Sequence, residues 1–134
     1  MRQQYADAAC LIGMTTHEGE VTAARSWDAP AELRLVQPSL RGSYERLFHE
    51  TGIPMFMVRL AMPTLRDALA TPRLERAIGV IYKPETERAS HYFEATLPDQ
   101  FDLVVHVDQT RALEPLEKWA RHEMDLPETY PTGV

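Results

Sequence analysis

The chain has 134 residues, 44% hydrophobic and 25% charged, so a single core-bearing domain is expected and extended disorder is not. Its formal net charge is −6. The arginines, Arg34, Arg41, Arg46, Arg59, Arg66, Arg73 and Arg76, are scattered among acids rather than gathered in a patch. Nucleic acid and anionic membrane surfaces are therefore not expected partners. One cysteine, Cys10, allows no disulfide within the chain. No apolar run approaches the length of a membrane span, and Met1 to Tyr5 has no signal-peptide core, so a cytoplasmic location is expected.

In chain order, Ala8 to Met14 is a short apolar run, expected to be a buried strand in which Cys10 acts as a small hydrophobe. His17-Glu18-Gly19 has turn composition, and its His and Glu match no defined metal motif. Glu32 to Val36 alternates polar and apolar residues like a half-buried strand. Ser43 is placed to cap a helix over 44–50 that Gly52 closes, with His49 expected on its surface. Met55 to Leu60 reads as a strand, and Thr64 opens a helix over 65–70 that Pro72 stops. Ala77 to Tyr82 reads as a strand and 85–90 as a polar loop or single helical turn. Asp102 to Val107 reads as a strand, and 111–124 as a helix with Pro115 in its first turn and His122 near its end. The residues that follow, with Pro127, Pro131 and Gly133, read as a tail over 127–134, leaving 1–126 as the folded segment.

Apolar strands separated by helices predict an α/β fold with a partial, largely parallel sheet flanked by short helices. A parallel sheet needs cover on both faces. Helices of two turns either suffice as they stand or leave part of the cover to sequence outside the chain.

The strand Asp102 to Asp108 holds the best chemical pair. Alternation puts His106 and Asp108 on one face, about 7 Å apart along the strand, near the C-terminal end where open α/β sheets bind ligands. A carboxylate beside an imidazole orients it and raises its basicity. The plainer reading is a histidine at a solvated strand end. Ser90 lacks a G-x-S-x-G setting, and no glycine-rich phosphate loop is present. No cofactor and no metal ion is expected.

Several separate segments carry a resemblance. They are 73–88 (RLERAIGVIYKPETER), Ser90-His91-Tyr92-Phe93, 101–108 (FDLVVHVD), 110–116 (TRALEPL), 12–24 (IGMTTHEGEVTAA) and 42–50 (GSYERLFHE). Together, over about Tyr5 to Leu116, they resemble the C-terminal region of erythromycin-esterase-like proteins. The resemblance implies the C-terminal part of a larger α/β hydrolase-type domain. It also implies metal-independent opening of macrolide lactones or hydrolysis of other carboxylic esters, the chemistry of macrolide resistance. That family's base is a histidine near its N-terminus, helped by a glutamate, with a further histidine in a W-A-H-N-x-H motif. None of these stands in this sequence, so no catalytic residue is carried over. Thr16, His17, Tyr82 and His91 are expected to line a substrate pocket, with His106 and Asp108 the weak catalytic candidates. The expected partner is a small ester or lactone, held together with the missing part of the domain. The other reading is a small binding or self-assembly module, a homo-oligomer joined through an open sheet edge.

Overall fold

A computed structural model describes Tyr5 and residues 8–114. Among the described residues, six strands form two sheets. In the larger, β1 (Ile12–Ala23), β2 (Glu32–Val36), β3 (Met55–Arg59) and β6 (Leu103–Thr110) stand in the order β2-β1-β6-β3. The smaller pairs β4 (Arg73–Arg76) with β5 (Tyr92–Ala95). The short helices that flank the strands are α1 (Tyr44–His49), α2 (Pro63–Ala68), α3 (Glu87–Ser90) and α4 (Leu97–Gln100), with a 3₁₀ turn at Pro84–Thr86.

The expected α/β mixture is present, but the sheet is mixed rather than largely parallel. Only the central pair β1–β6 is parallel, while β2 pairs with β1, and β3 with β6, antiparallel. The reason is connection length. β2 follows β1 across a loop too short for a crossover, so it folds back.

β1 differs most from expectation. It starts at Ile12 rather than near Ala8, and it runs through His17-Glu18-Gly19 instead of turning there. Gly19 makes this continuity possible. Its φ is +129°, and a Cβ there would overlap the Thr110 carbonyl and lie 2.7 Å from the Thr110 amide nitrogen. Cys10 lies outside the strand and is exposed, not buried within it. The expected strand over 77–82 is instead an irregular segment that touches β1's end through one bridge, Ala24 to Ile81. Arg111 to Glu114 is not helical, and the remainder of the expected helix, His122 and the tail over 127–134 lie outside the described residues.

α1 is built as its sequence suggests. The Ser43 hydroxyl accepts the Arg46 amide at 3.1 Å, and Glu45 sits in the first turn. Its inward face presents Tyr44 and Phe48 to Leu60, Leu69, Leu97 and Val104, the main core. Each such side chain contributes about 1.5–3 kcal/mol when fully buried. The Tyr44 hydroxyl accepts the Leu97 amide at 3.1 Å and faces the carbonyls of Leu69, Thr71 and Ala95, tying α1 to the ends of α2 and β5.

The two faces of the large sheet are unlike. Gly13, Thr15, His17, Val104 and His106 are buried beneath the helices. The opposite face, with Ile12, Met14, Leu33, Leu35, Met55 and Met57, is half or more exposed.

Candidate functional site

β1, α1 and β6 bring three imidazoles and one carboxylate together. His17 points inward from β1, Asp108 and His106 from β6, and His49 stands in the last turn of α1. The His17 and His49 rings stack with centroids 3.6 Å apart and 11° from parallel. Asp108 Oδ1 accepts from His49 Nδ1 at 2.8 Å and, more weakly, from His106 Nε2 at 3.4 Å. His106 is completely buried, between the rings of Phe48 and Phe56. Because Asp108 takes the Nε2 proton, neutral His106 accepts the Thr15 hydroxyl at Nδ1, 2.9 Å away. Both of its nitrogens are thus engaged. His17 Nδ1 lies 2.6 Å from the Ser39 hydroxyl.

Electrostatics separate the groups. Burial, and then the charge of His49 beside it, hold the His17 imidazole below its ordinary value, against the pull of Asp108 and Glu18. Burial lowers His106 as well, despite its bond to Asp108. For Asp108, burial pushes upward, but the hydrogen bond and charge of His49, then His106, win and hold the carboxyl below its usual range. Asp108 is therefore an ionised acceptor shared by two rings, and the His49 side chain is about a third exposed.

Arg76 fixes the strand behind the cluster. β2 pairs with β1 only from Gly19 onward, so the carbonyls of Thr16 and His17 lack a strand partner on that side. The buried Arg76 guanidinium donates to both, at 2.6 and 2.8 Å, and to the Gln37 carbonyl at 2.7 Å. The Ser39 amide also reaches the His17 carbonyl, at 3.0 Å. Arg76 is itself neutralised by Glu87 at 2.9 Å, whose carboxylate accepts the Tyr82 hydroxyl at 2.7 Å.

The expected site residues thus divide. His17, His106 and Asp108 meet in one cluster. Thr16 is on the other face of β1, its hydroxyl directed to the Glu18 and Asp108 carbonyls. Tyr82 is fully buried and belongs to the Arg76–Glu87 network. His91 packs on Tyr82, with Nδ1 donating to the Ala77 carbonyl and Nε2 accepting the Lys83 amide. Sequence reasoning missed His49, which it put on the surface, and also Ser39 and Arg76. Only the C-terminal position of His49 on α1 hinted at a role, and the stack is a tertiary event with no local signature.

Among the described residues, no group of three or more His, Cys, Asp or Glu side chains is placed to hold a metal ion. A hollow of about 640 Å³ opens near the ends of β1 and β6, lined by Glu18, Gln37, Gln109, Thr110 and Arg111 rather than by the histidines. An apolar groove of about 320 Å³ between α1, β3 and α2 has Phe48 and Phe56 in its wall. The same two rings contact His106. Among the described residues, no helix is long and apolar enough to cross a membrane.

Two solved structures share this fold. One is a succinoglycan biosynthesis protein, 18% identical, with a TM-score of 0.65, matched over 82% of this chain and 26% of its own. The other is a Bacillus cereus protein, 17% identical, with a TM-score of 0.66, matched over 82% of this chain and 27% of its own. The chain spans about a quarter of the length of the structures it matches. The sequence model of the erythromycin esterase family matches residues 1–110. This chain belongs to the erythromycin esterase family.

Proposed function

We propose that the chain is the C-terminal part of a hydrolase of carboxylic esters or macrolide lactones. In this reading it supplies one wall of the reaction cleft and does not catalyse hydrolysis alone. The observation that carries the reading is the Asp108-centred cluster, set at the C-terminal ends of the parallel pair β1–β6. Asp108 accepts from Nδ1 of the part-exposed His49, the kind of orienting bond a general base requires. His106 and Thr15 hold Asp108 in place from within and touch no substrate. His17, bonded to Ser39 and stacked on His49, fixes the plane of the exposed ring.

Hydrolysis needs more than this wall. A base must face an electrophile whose developing oxyanion is stabilised by fixed donors. His49 and Asp108 are part-exposed, so water stays in contact with the dyad and weakens such stabilisation. The matching surface comes from the remainder of a full-length family domain. Nothing in this arrangement draws on a cofactor, and the cell compartment that fits is the cytoplasm.

The reading is tested by titrating the purified chain with erythromycin, and separately with a short-chain ester, while following the histidine ring carbons by NMR. Shifts in His49 and His17, with buried His106 following only slightly, are expected. Shifts confined to His91, or to none of the histidines, would overturn the assignment.

A further inference from the structure

The apolar groove between α1, β3 and α2 stands beside the histidine cluster but outside its hydrogen bonds. Its walls carry Phe48 from α1, Phe56 and Val58 from β3, and Leu65 and Ala68 from α2. Leu65, Ala68 and the Leu69 that follows α2 are spaced i, i+3 and i+4, one side of the helix. Arg66 and Asp67 lie between them in sequence and line no part of the groove; Arg66 pairs with Asp99 instead, at 2.7 Å. Among the described residues, Thr51 is the only polar side chain in the wall. Its hydroxyl is spent locally, donating to the Phe48 carbonyl at 2.7 Å and accepting the Ile53 amide at 3.2 Å.

These walls limit the occupant. A charged group would lose its hydration there and meet no counter-charge. A peptide would leave backbone amides and carbonyls unpaired. The groove holds about 320 Å³. An apolar cavity of about 150 Å³ accepts a benzene ring. One substituted ring, or an aliphatic chain of similar bulk, is therefore the size that fits.

The groove is also continuous with the cluster. The Phe48 and Phe56 rings meet edge-on, centroids 5.4 Å apart, and both contact His106. Thr51 and Ile53 belong to the short segment that runs from His49, at the end of α1, to Pro54. The Pro54 carbonyl accepts the Asp108 amide at 2.8 Å. The same segment thus forms a wall of the groove and joins the two residues of the dyad.

We propose that this groove is the acyl pocket of the site, taking the apolar part of a carboxylic ester as a single aromatic ring or a short aliphatic chain. That the occupant is an acyl group rests on the hydrolase reading; that an uncharged apolar group binds here does not. Ala68, exposed and the smallest side chain in the wall, leaves the space it enters.

The full chain, with its methyl groups labelled with carbon-13, is titrated with ethyl benzoate and separately with sodium benzoate, and the histidine rings are followed in parallel. Saturable shifts of the Val58, Leu65 and Ala68 methyls are expected with ethyl benzoate, and binding about tenfold or more weaker with the charged benzoate. Ala68→Trp fills the groove from an exposed helix position and should weaken ethyl benzoate binding about tenfold or more. Asp67→Asn, on the same helix but outside the groove, should leave it unchanged. Groove methyls that do not move, or binding unaltered by Ala68→Trp, would overturn the proposal. So would equal binding of benzoate and its ester. Methyl shifts that grow with protein concentration in the absence of ester would overturn it too, by making a second copy the occupant. Shifts at His49 with still groove methyls would remove the pocket and spare the hydrolase reading. The reverse pattern would keep an apolar binding site and remove the hydrolase reading together with the acyl assignment.

Discussion

His17 and His49, from different elements, stack their imidazoles 3.6 Å apart and nearly parallel. Two protonated rings at that separation repel, so the stack favours at most one cation. Asp108 bonds one ring of the pair, His49, and not His17.

The first prediction follows from that asymmetry. In an NMR titration, His17 and His106 should protonate below the ordinary imidazole value of 6.5. Asp108 raises both, so Asp108→Asn should lower both further. The linkage sign is that of a depressed base. The unfolded rings take protons below 6.5 that the folded rings refuse, so this part of the stability is present above 6.5 and declines as pH falls through that value. An unchanged His17 titration in Asp108→Asn would show that the carboxylate does not govern the stack.

Glu75 predicts the opposite slope. Burial, with Glu45 beside it, raises its carboxyl to about 7. A raised acid holds its proton more tightly when folded. Its contribution is therefore complete below the ordinary value of 4.5 and is lost as pH rises to about 7. The loss amounts to about 3–4 kcal/mol. Glu75→Gln should flatten chemical-denaturation stability between those limits and stabilise the chain on the alkaline side. Identical pH profiles for the two proteins would contradict this.

Arg76→Lys should be costly. A lysine cannot span three carbonyls and the Glu87 carboxylate together. Leaving buried Glu87 poorly matched costs about 3–5 kcal/mol. Denaturant unfolding measures the loss, and the His17 ring resonances should shift with it. Tyr82→Phe removes the bond to Glu87 and the acceptor of the Gln37 amide, and should cost about 2 kcal/mol.

What was legible in the sequence was what local patterning controls. Ser43 capping α1, the alternation of Glu32 to Val36, and the apolar runs at Met55 and Leu103 all gave elements where expected. His17 to Gly19 read as a turn because of its polar and glycine composition. In the fold those polar groups face one another across the sheet, and only Gly19's backbone freedom keeps the strand running. Ala77 to Tyr82 failed in the reverse way. It is apolar enough for a strand, but Tyr82 is drawn into the Glu87 network instead. Parallel order was overcalled because connection lengths, not composition, set strand direction. In the site, the His106–Asp108 pairing was readable from alternation alone. His49 was not, since its partners come from β1 and β6 and no helix-local pattern encodes them.

The central claim, that this chain holds a reactive wall but not a complete catalyst, is tested most directly by lactone opening. The purified chain is incubated with erythromycin and with a simple activated ester, and products are followed by mass spectrometry. The account predicts no turnover of erythromycin, and ester cleavage no faster than equimolar free imidazole. Multiple turnovers that vanish in His49→Ala or His106→Ala would contradict it.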